Sequence, residues 1–282
     1  MKLTLPGTNQ IICAFAICSA AFALPAAALA QDTVTIMDST SAAFMASGSS
    51  GNPDGTNLAT KNYGNSGTLA IAPASSTKGA FDSVLLFNTS SAVNQFNTMY
   101  GVGDWTITGV TLSLASNFGT QGTQPNNNIF NTINAGSFGI DSLTDTTWTP
   151  GTGGGSGTPG YPVNSDVDYA YIPTLQSFGY DFLNDYTYTP PGNNVYLTYT
   201  LPGNDPILDS TAAVGAVSLL FYAADNNVSY LFNSQIFMSG NSNDNHPELT
   251  LTVEATPEPA TAALLAASLG GFLSVRWRTA KK

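Results

Sequence analysis

Two stretches of this chain carry the oxygens that a hard cation needs: Asp225-Asn226-Asn227, and Asn241-Ser242-Asn243-Asp244-Asn245. If flanking strands bring them to one end of a sheet, Asp225, Asn227 and Asp244 would hold Ca2+ with carboxylate and carbonyl oxygens. No EF-hand spacing is present, and Asx turns account for the same residues without metal. A second pattern runs from Tyr161 to Tyr188, where Tyr169, Tyr171 and Tyr180 alternate with Asp166, Asp168, Asp181 and Asp185. Aromatic faces beside carboxylates are what a sugar ring binds, and tyrosines at the edges of a sandwich leave the same trace. Nucleophilic catalysis is poorly provided for: His246 is the only imidazole, and no Gly-x-Ser-x-Gly turn occurs. Glycoside hydrolysis needs two carboxylates at a set separation. The pairs Asp166/Asp168 and Asp181/Asp185 qualify by spacing, but their turn-rich surroundings read as capping. No catalytic residue is assigned, and an enzyme is not expected.

The elements that must position these residues lie between two end segments. Lys2 opens a basic region, Ile11 to Ala23 form an apolar run, and Ala28-Leu29-Ala30 is a small-x-small site before Gln31. This predicts a secretory signal peptide over 1–30, cut by signal peptidase. Both cysteines, Cys13 and Cys18, fall inside it, and Ile17 before Cys18 argues against lipidation. The exported part then has no disulfide and no thiolate site, so its core or a bound metal must hold it.

Between Gln31 and Ala255 only Lys61 and Lys78 are basic, against seventeen Asp and Glu, a net charge of −15 with His246 neutral. Such a surface repels nucleic acid and anionic lipid, and favours cations. With no arginine in this part, bidentate recognition of phosphate is excluded as well.

The other end reads Thr256-Pro257-Glu258-Pro259, then sixteen uncharged residues from Ala260 to Val275, then Arg276, Arg278, Lys281 and Lys282 around Trp277. A helix over 260–275 would be about 24 Å long, enough to span a bilayer with some thinning. Its basic flank should face the cytoplasm. Motif, apolar helix and basic tail in this order resemble the PEP-CTERM sorting signal. That resemblance implies an exosortase-type transpeptidase as partner, acting at Pro257, Glu258 and Pro259 after transient anchoring in the inner membrane. It further implies deployment at the cell surface or outside the cell, with exopolysaccharide in a biofilm matrix.

Within 31–255, short β-type runs are separated by Gly, Pro and Asn clusters, and helical signals are scarce. Phe81 to Phe87 and Gly215 to Ala224 are near-continuous apolar runs, as for strands buried on both faces. Trp105 to Ala115 and Pro247 to Val253 alternate, with Gly109 marking a bulge. Asp209 to Ala213 suggests one turn of helix, and Trp148 to Gly160 a flexible insertion. The fold expected is all-β: an antiparallel β-sandwich of jelly-roll type, nine to eleven strands, with a loop-rich insertion and a C-terminal transmembrane helix over 260–275 in the 256–282 sorting segment.

Asn62-Tyr63-Gly64, Val84-Leu85-Leu86-Phe87-Asn88, Gly109 to Leu114, Asp145 with Trp148, Leu219 to Tyr222 and Pro247 to Val253 follow one another in an order that resembles the DNRLRE-type, disaggregatase-related β-sandwich. Asn88 stands where that family has Asp, and His246 where it has Arg. The resemblance implies a carbohydrate-binding module, with polysaccharide as the partner.

Overall fold

The computed structural model describes residues 31–37, 39–48, 58–74, 79–117, 135–152, 166–189, 194–237 and 245–256. Ala28, Ala30, Asp244, Pro257, Glu258, Pro259 and the apolar run 260–275 lie outside them. Among the described residues no helix is long and apolar enough to cross a membrane.

The described residues form eleven strands: β1 Gln31–Met37, β2 Ser41–Ala46, β3 Thr68–Ile71, β4 Phe81–Asn88, β5 Trp105–Ala115, β6 Gly136–Leu143, β7 Tyr180–Tyr188, β8 Tyr196–Leu201, β9 Ala216–Ala223, β10 Tyr230–Asn233 and β11 Glu248–Ala255. They form a four-stranded sheet ordered β1-β11-β5-β8, a five-stranded sheet ordered β2-β4-β9-β6-β7, and the short pair β10-β3. All pairings between these strands are antiparallel. Four of them nest: β1 with β11, β4 with β9, β5 with β8 and β6 with β7. Gln31 lies opposite Glu254, so the two ends of the sandwich leave it side by side.

The four-stranded sheet shows why alternation was readable. Leu249, Leu251 and Val253 of β11, with Val110, Leu112 and Leu114 of β5, point into the core, while the intervening Thr and Ser meet solvent. The register shifts where Thr252 and Val253 oppose Gly109 and Ile107, so the bulge expected at Gly109 is present. The five-stranded sheet is different. Leu85, Phe87, Phe138, Ile140, Leu219 and Phe221 face the same inner core, while Ala43, Met45, Val84, Leu143 and Leu220 on the other face pack under Trp148, Val167, Ile172 and Leu175. A sheet covered on both sides gives the near-continuous apolar runs of β4 and β9.

Helix is more plentiful than its sequence signals suggest. Ser90–Tyr100 forms α1, Ile172–Ser177 forms α2 after a 3-10 turn at Tyr169–Tyr171, and Pro206–Val214 forms α3, longer than the single turn expected. In α1 the buried Ala92 and Phe96, one helical turn apart, supply the inward face, hidden among Ser, Asn and Gln. Trp148 is a second correction. Of the flexible insertion expected over Trp148 to Gly160, 153–160 lie outside the described residues, but Trp148 itself is fixed: it is 2% exposed and donates its indole N–H to Ser218 Oγ at 2.9 Å on the outer face of β9.

α3 ties the loops to the sheet. Asp205 Oδ1 accepts from Leu208 N at 2.7 Å as the N-cap and from Ser142 Oγ at 2.9 Å, with Pro206 in the first turn and Gly215 closing the helix at φ 109°. Asp205→Ala removes the cap and leaves the Ser142 hydroxyl only its longer contact, 3.4 Å to Asp181 O, so we expect it to lower stability by about 2 kcal/mol. Asp205→Asn, which keeps the cap acceptor, should lose less than half of that in urea titration. Equal losses would contradict this assignment.

Candidate functional site

A cleft of about 760 Å³ lies over the outer face of the five-stranded sheet. Its floor is strand: Asp82 from β4, Asp141 from β6, and Leu220 and Tyr222 from β9 between them. Tyr169, Ile172 and Gln176 from the 3-10 turn and α2 form one wall, and Tyr180 and Phe182 of β7 another. Pro73, Ala74 and Ala80 before β4, with Ala223 at the end of β9 and residues 224–226 after it, close the rim.

The register explains how two carboxylates far apart in sequence meet. Ser83 lies opposite Phe221, and Asp141 opposite Leu220, so β9 runs between Asp82 and Asp141. Opposite Asp141 the β6–β7 register slips: Ile140 pairs with Asn184 and Asp141 with Phe182, leaving Leu183 as the extra residue. Such a bulge re-aims side chains. On β6, Gly139 pairs with Tyr222, and a Cβ there would come within 2.5 Å of the Tyr222 ring. The missing side chain lets the phenol lie across β6, where its O–H donates to Asp141 Oδ1 at 3.1 Å.

Both carboxyls are buried, Asp82 at 8% exposure and Asp141 at 2%. Burial, and then the negative charge of Asp141, push the Asp82 carboxyl up to about 7. Burial raises Asp141 too, opposed by hydrogen bonds from Tyr222 and Gln176, while the charges of Asp181 and Asp185 add to the rise. Tyr169 is raised by burial and then by Asp82, and Tyr222 lies above the ordinary phenol range through burial and then Asp141. The floor is a pair of like charges, and holding the proton on one of them relieves the repulsion.

Of the aromatic residues singled out by sequence, Tyr169 and Tyr180 line the cleft and Tyr171 does not, although Tyr169 and Tyr171 both pack against the cluster of Trp148, Val167 and Leu175. A 3-10 turn advances about 120° per residue, which sends Tyr169 and Tyr171 to different sides. Tyr180 is 49% exposed and Phe182 52%, so both rings offer faces to a ligand.

The carboxylates paired by spacing are spread out. Asp168 caps the 3-10 turn through Tyr171 N at 2.8 Å, Asp166 bonds the Thr149 hydroxyl and the Asn62 amide, and Asp181 and Asp185 are exposed on β7. Asp225 reaches the cleft rim, but its Oδ1 accepts from Asn227 N at 2.8 Å and Val228 N at 3.0 Å, and its Oδ2 from Ser137 N at 2.7 Å. It clasps the turn after β9, and Asn227 contributes its backbone amide to that clasp. Among the described residues no group of three or more His, Cys, Asp or Glu gathers as for a metal ion. His246 Nε2 lies 3.0 Å from Phe237 O, and its own carbonyl accepts from Tyr196 Oη at 3.0 Å.

Asp82 and Asp141 escaped notice in the sequence. Their signal was present: Phe81-Asp82-Ser83-Val84 and Ile140-Asp141-Ser142-Leu143 each set a carboxylate inside an apolar strand, where charge is rarely buried without a partner. No protein-family model matches this chain, and no curated protein matches it either.

Proposed function

We propose that this chain is an exported, non-enzymatic surface or matrix protein, sorted through its C-terminal segment, whose sandwich holds polysaccharide in the cleft over the five-stranded sheet. The observation that carries it is the cleft itself: Tyr169, Tyr180, Phe182 and Tyr222 surround two carboxyls and the Gln176 amide, an arrangement of aromatic faces and hydrogen-bonding groups that suits sugar rings. The four nested pairs, β1–β11, β4–β9, β5–β8 and β6–β7, support a jelly-roll reading of the fold, an architecture that lectin domains use.

Export and sorting rest on sequence: the small-x-small site before Gln31, and the Pro257-Glu258-Pro259 motif with its apolar run and basic tail. Among the described residues the first to pair in a strand is Gln31 and the last is Ala255, so cutting at both proposed points leaves every described strand pair intact. In this account the signal peptidase and an exosortase-type enzyme are the processing partners. The inner membrane is a temporary anchor, and the calcium reading at Asp225, Asn227 and Asp244 takes no part.

A second reading, hydrolysis of the bound chain, draws on one observation: Asp82 sits near neutrality beside a second carboxyl, the asymmetry that glycoside hydrolysis uses. Access favours binding. At 8% and 2% exposure the two carboxyls can meet a small projecting group, but not a glycosidic oxygen flanked by two rings.

The test is binding of soluble oligosaccharides to the purified full chain, with Tyr180→Ala/Phe182→Ala as the variant. Both side chains are about half exposed, so the double variant should keep its thermal midpoint while its affinity falls at least about tenfold. Unchanged affinity would remove the cleft from the account. Reducing ends released by the wild type and not by Asp82→Asn would favour hydrolysis instead.

A further inference from the structure

Asp82 is the least explained group in the cleft. It is 8% exposed, lines the floor, and accepts no hydrogen bond among the described residues, whereas its neighbour Asp141 accepts from Tyr222 and Gln176. A buried carboxyl without a donor is costly, and the cost is recovered when a partner arrives. Facing it are Asp141 from β6, Tyr222 from β9, Tyr169 from the 3-10 turn and Tyr180 from β7. All are acids or phenols, and no described Lys, Arg or His lines the cleft. The missing complement is a cation with hydrogens to donate.

We infer that the ligand is a polysaccharide bearing free primary amines, one sugar ammonium seating at the floor between Asp82 and Asp141; this rests on the sugar-binding reading above and narrows it. An ammonium is compact and brings three N–H donors, enough for both carboxyls. Tyr169 and Tyr222 flank the floor, and aromatic faces attract a desolvated cation. N-acetylation removes the charge and adds bulk where the two carboxyls leave little opening. Neutral glucans lack the donor altogether. The acidic surface of the whole domain draws such a polymer in, but the pair at the floor discriminates.

The experiment measures binding of three β-1,4-linked tetrasaccharides to the full chain: fully deacetylated glucosamine, N-acetylglucosamine, and glucose. It is run at about pH 7, where amines keep most of their proton while the Asp82 carboxyl, raised to about 7, is giving up its own, and at about 0.15 M salt to screen long-range attraction. The deacetylated tetrasaccharide should bind at least tenfold more tightly than the other two. Asp82→Asn should remove at least tenfold of that affinity, while Glu254→Gln, the same charge change on the other sheet, should leave it within twofold. Equal affinity for all three sugars would overturn the amine inference and leave sugar binding standing. Equal losses in Asp82→Asn and Glu254→Gln would also overturn it, reducing the attraction to net charge. Binding of none would overturn both.

Discussion

Asp82→Asn should stabilise this protein at pH 8 by several kcal/mol while leaving it almost unchanged at pH 4. Unfolded, the Asp82 carboxyl ionises near 3.8; folded, it is raised to about 7 by burial and by Asp141. A raised carboxyl keeps its proton in the folded state after the unfolded chain has lost it. The folded state is therefore favoured most below the unfolded value, and that advantage drains away from about pH 4 to about pH 7. At about 1.4 kcal/mol for each unit, the loss is of order 4 kcal/mol. Asn carries no proton and no charge in this range, so the variant lacks this slope. For a domain of this size the thermal midpoint at pH 8 should rise by about 10 °C over wild type. Thermal melts at pH 4 and pH 8 check it; a variant no more stable than wild type at pH 8 would show that Asp82 is hydrated or paired.

Phe138→Ala should cost about 4 kcal/mol. Phe138 is fully buried on β6, and its ring centroid lies 5.3 Å from Tyr199, 5.8 Å from Tyr230, 5.9 Å from Phe232, 6.1 Å from Tyr186 and 6.4 Å from Phe221. Those partners come from strands β7, β8, β9 and β10, so one side chain joins both large sheets and the β10–β3 pair. Truncation leaves a cavity that these rings cannot all move to fill, and edge contacts with Tyr199 and Tyr230 are lost as well. Phe138→Leu keeps most of the volume and should lose under half as much. Because Gly139 and Asp141 follow on the same strand, Phe138→Ala should also weaken ligand binding. Urea titration measures the loss; a cost below about 1 kcal/mol would mean that the aromatic cluster is not the keystone of the core.

The framework was largely readable, for reasons visible residue by residue. β5 and β11 alternate because one face of their sheet meets water, and β4 and β9 do not because both of their faces are covered along most of their length. The bulge at Gly109 was announced by the one residue that interrupts the alternation. Helix α1 was not readable, since Ala92 and Phe96 are its only buried residues and their neighbours are poor helix formers.

The cleft was half visible. Tyr169 and Tyr180, aromatic amid acids, both line it; Tyr171, from the same pattern, stays out of it because a 3-10 turn separates neighbours that a strand would have aligned. Asp82 and Asp141 are far apart in the chain, and no short spacing marks them as a pair. Antiparallel register across β9 brings them together instead, and a single chain read linearly does not display that register. Asp225 was chosen for its oxygens, yet backbone amides already occupy them.

The most direct test of the account is hydrogen–deuterium exchange of the full chain with and without a saturating bound polysaccharide. Protection confined to the 3-10 turn and α2 at 169–177, to β7 at 180–182 and to 222–226 is the expected result. Protection on the β1-β11-β5-β8 sheet, with none at those segments, would contradict it.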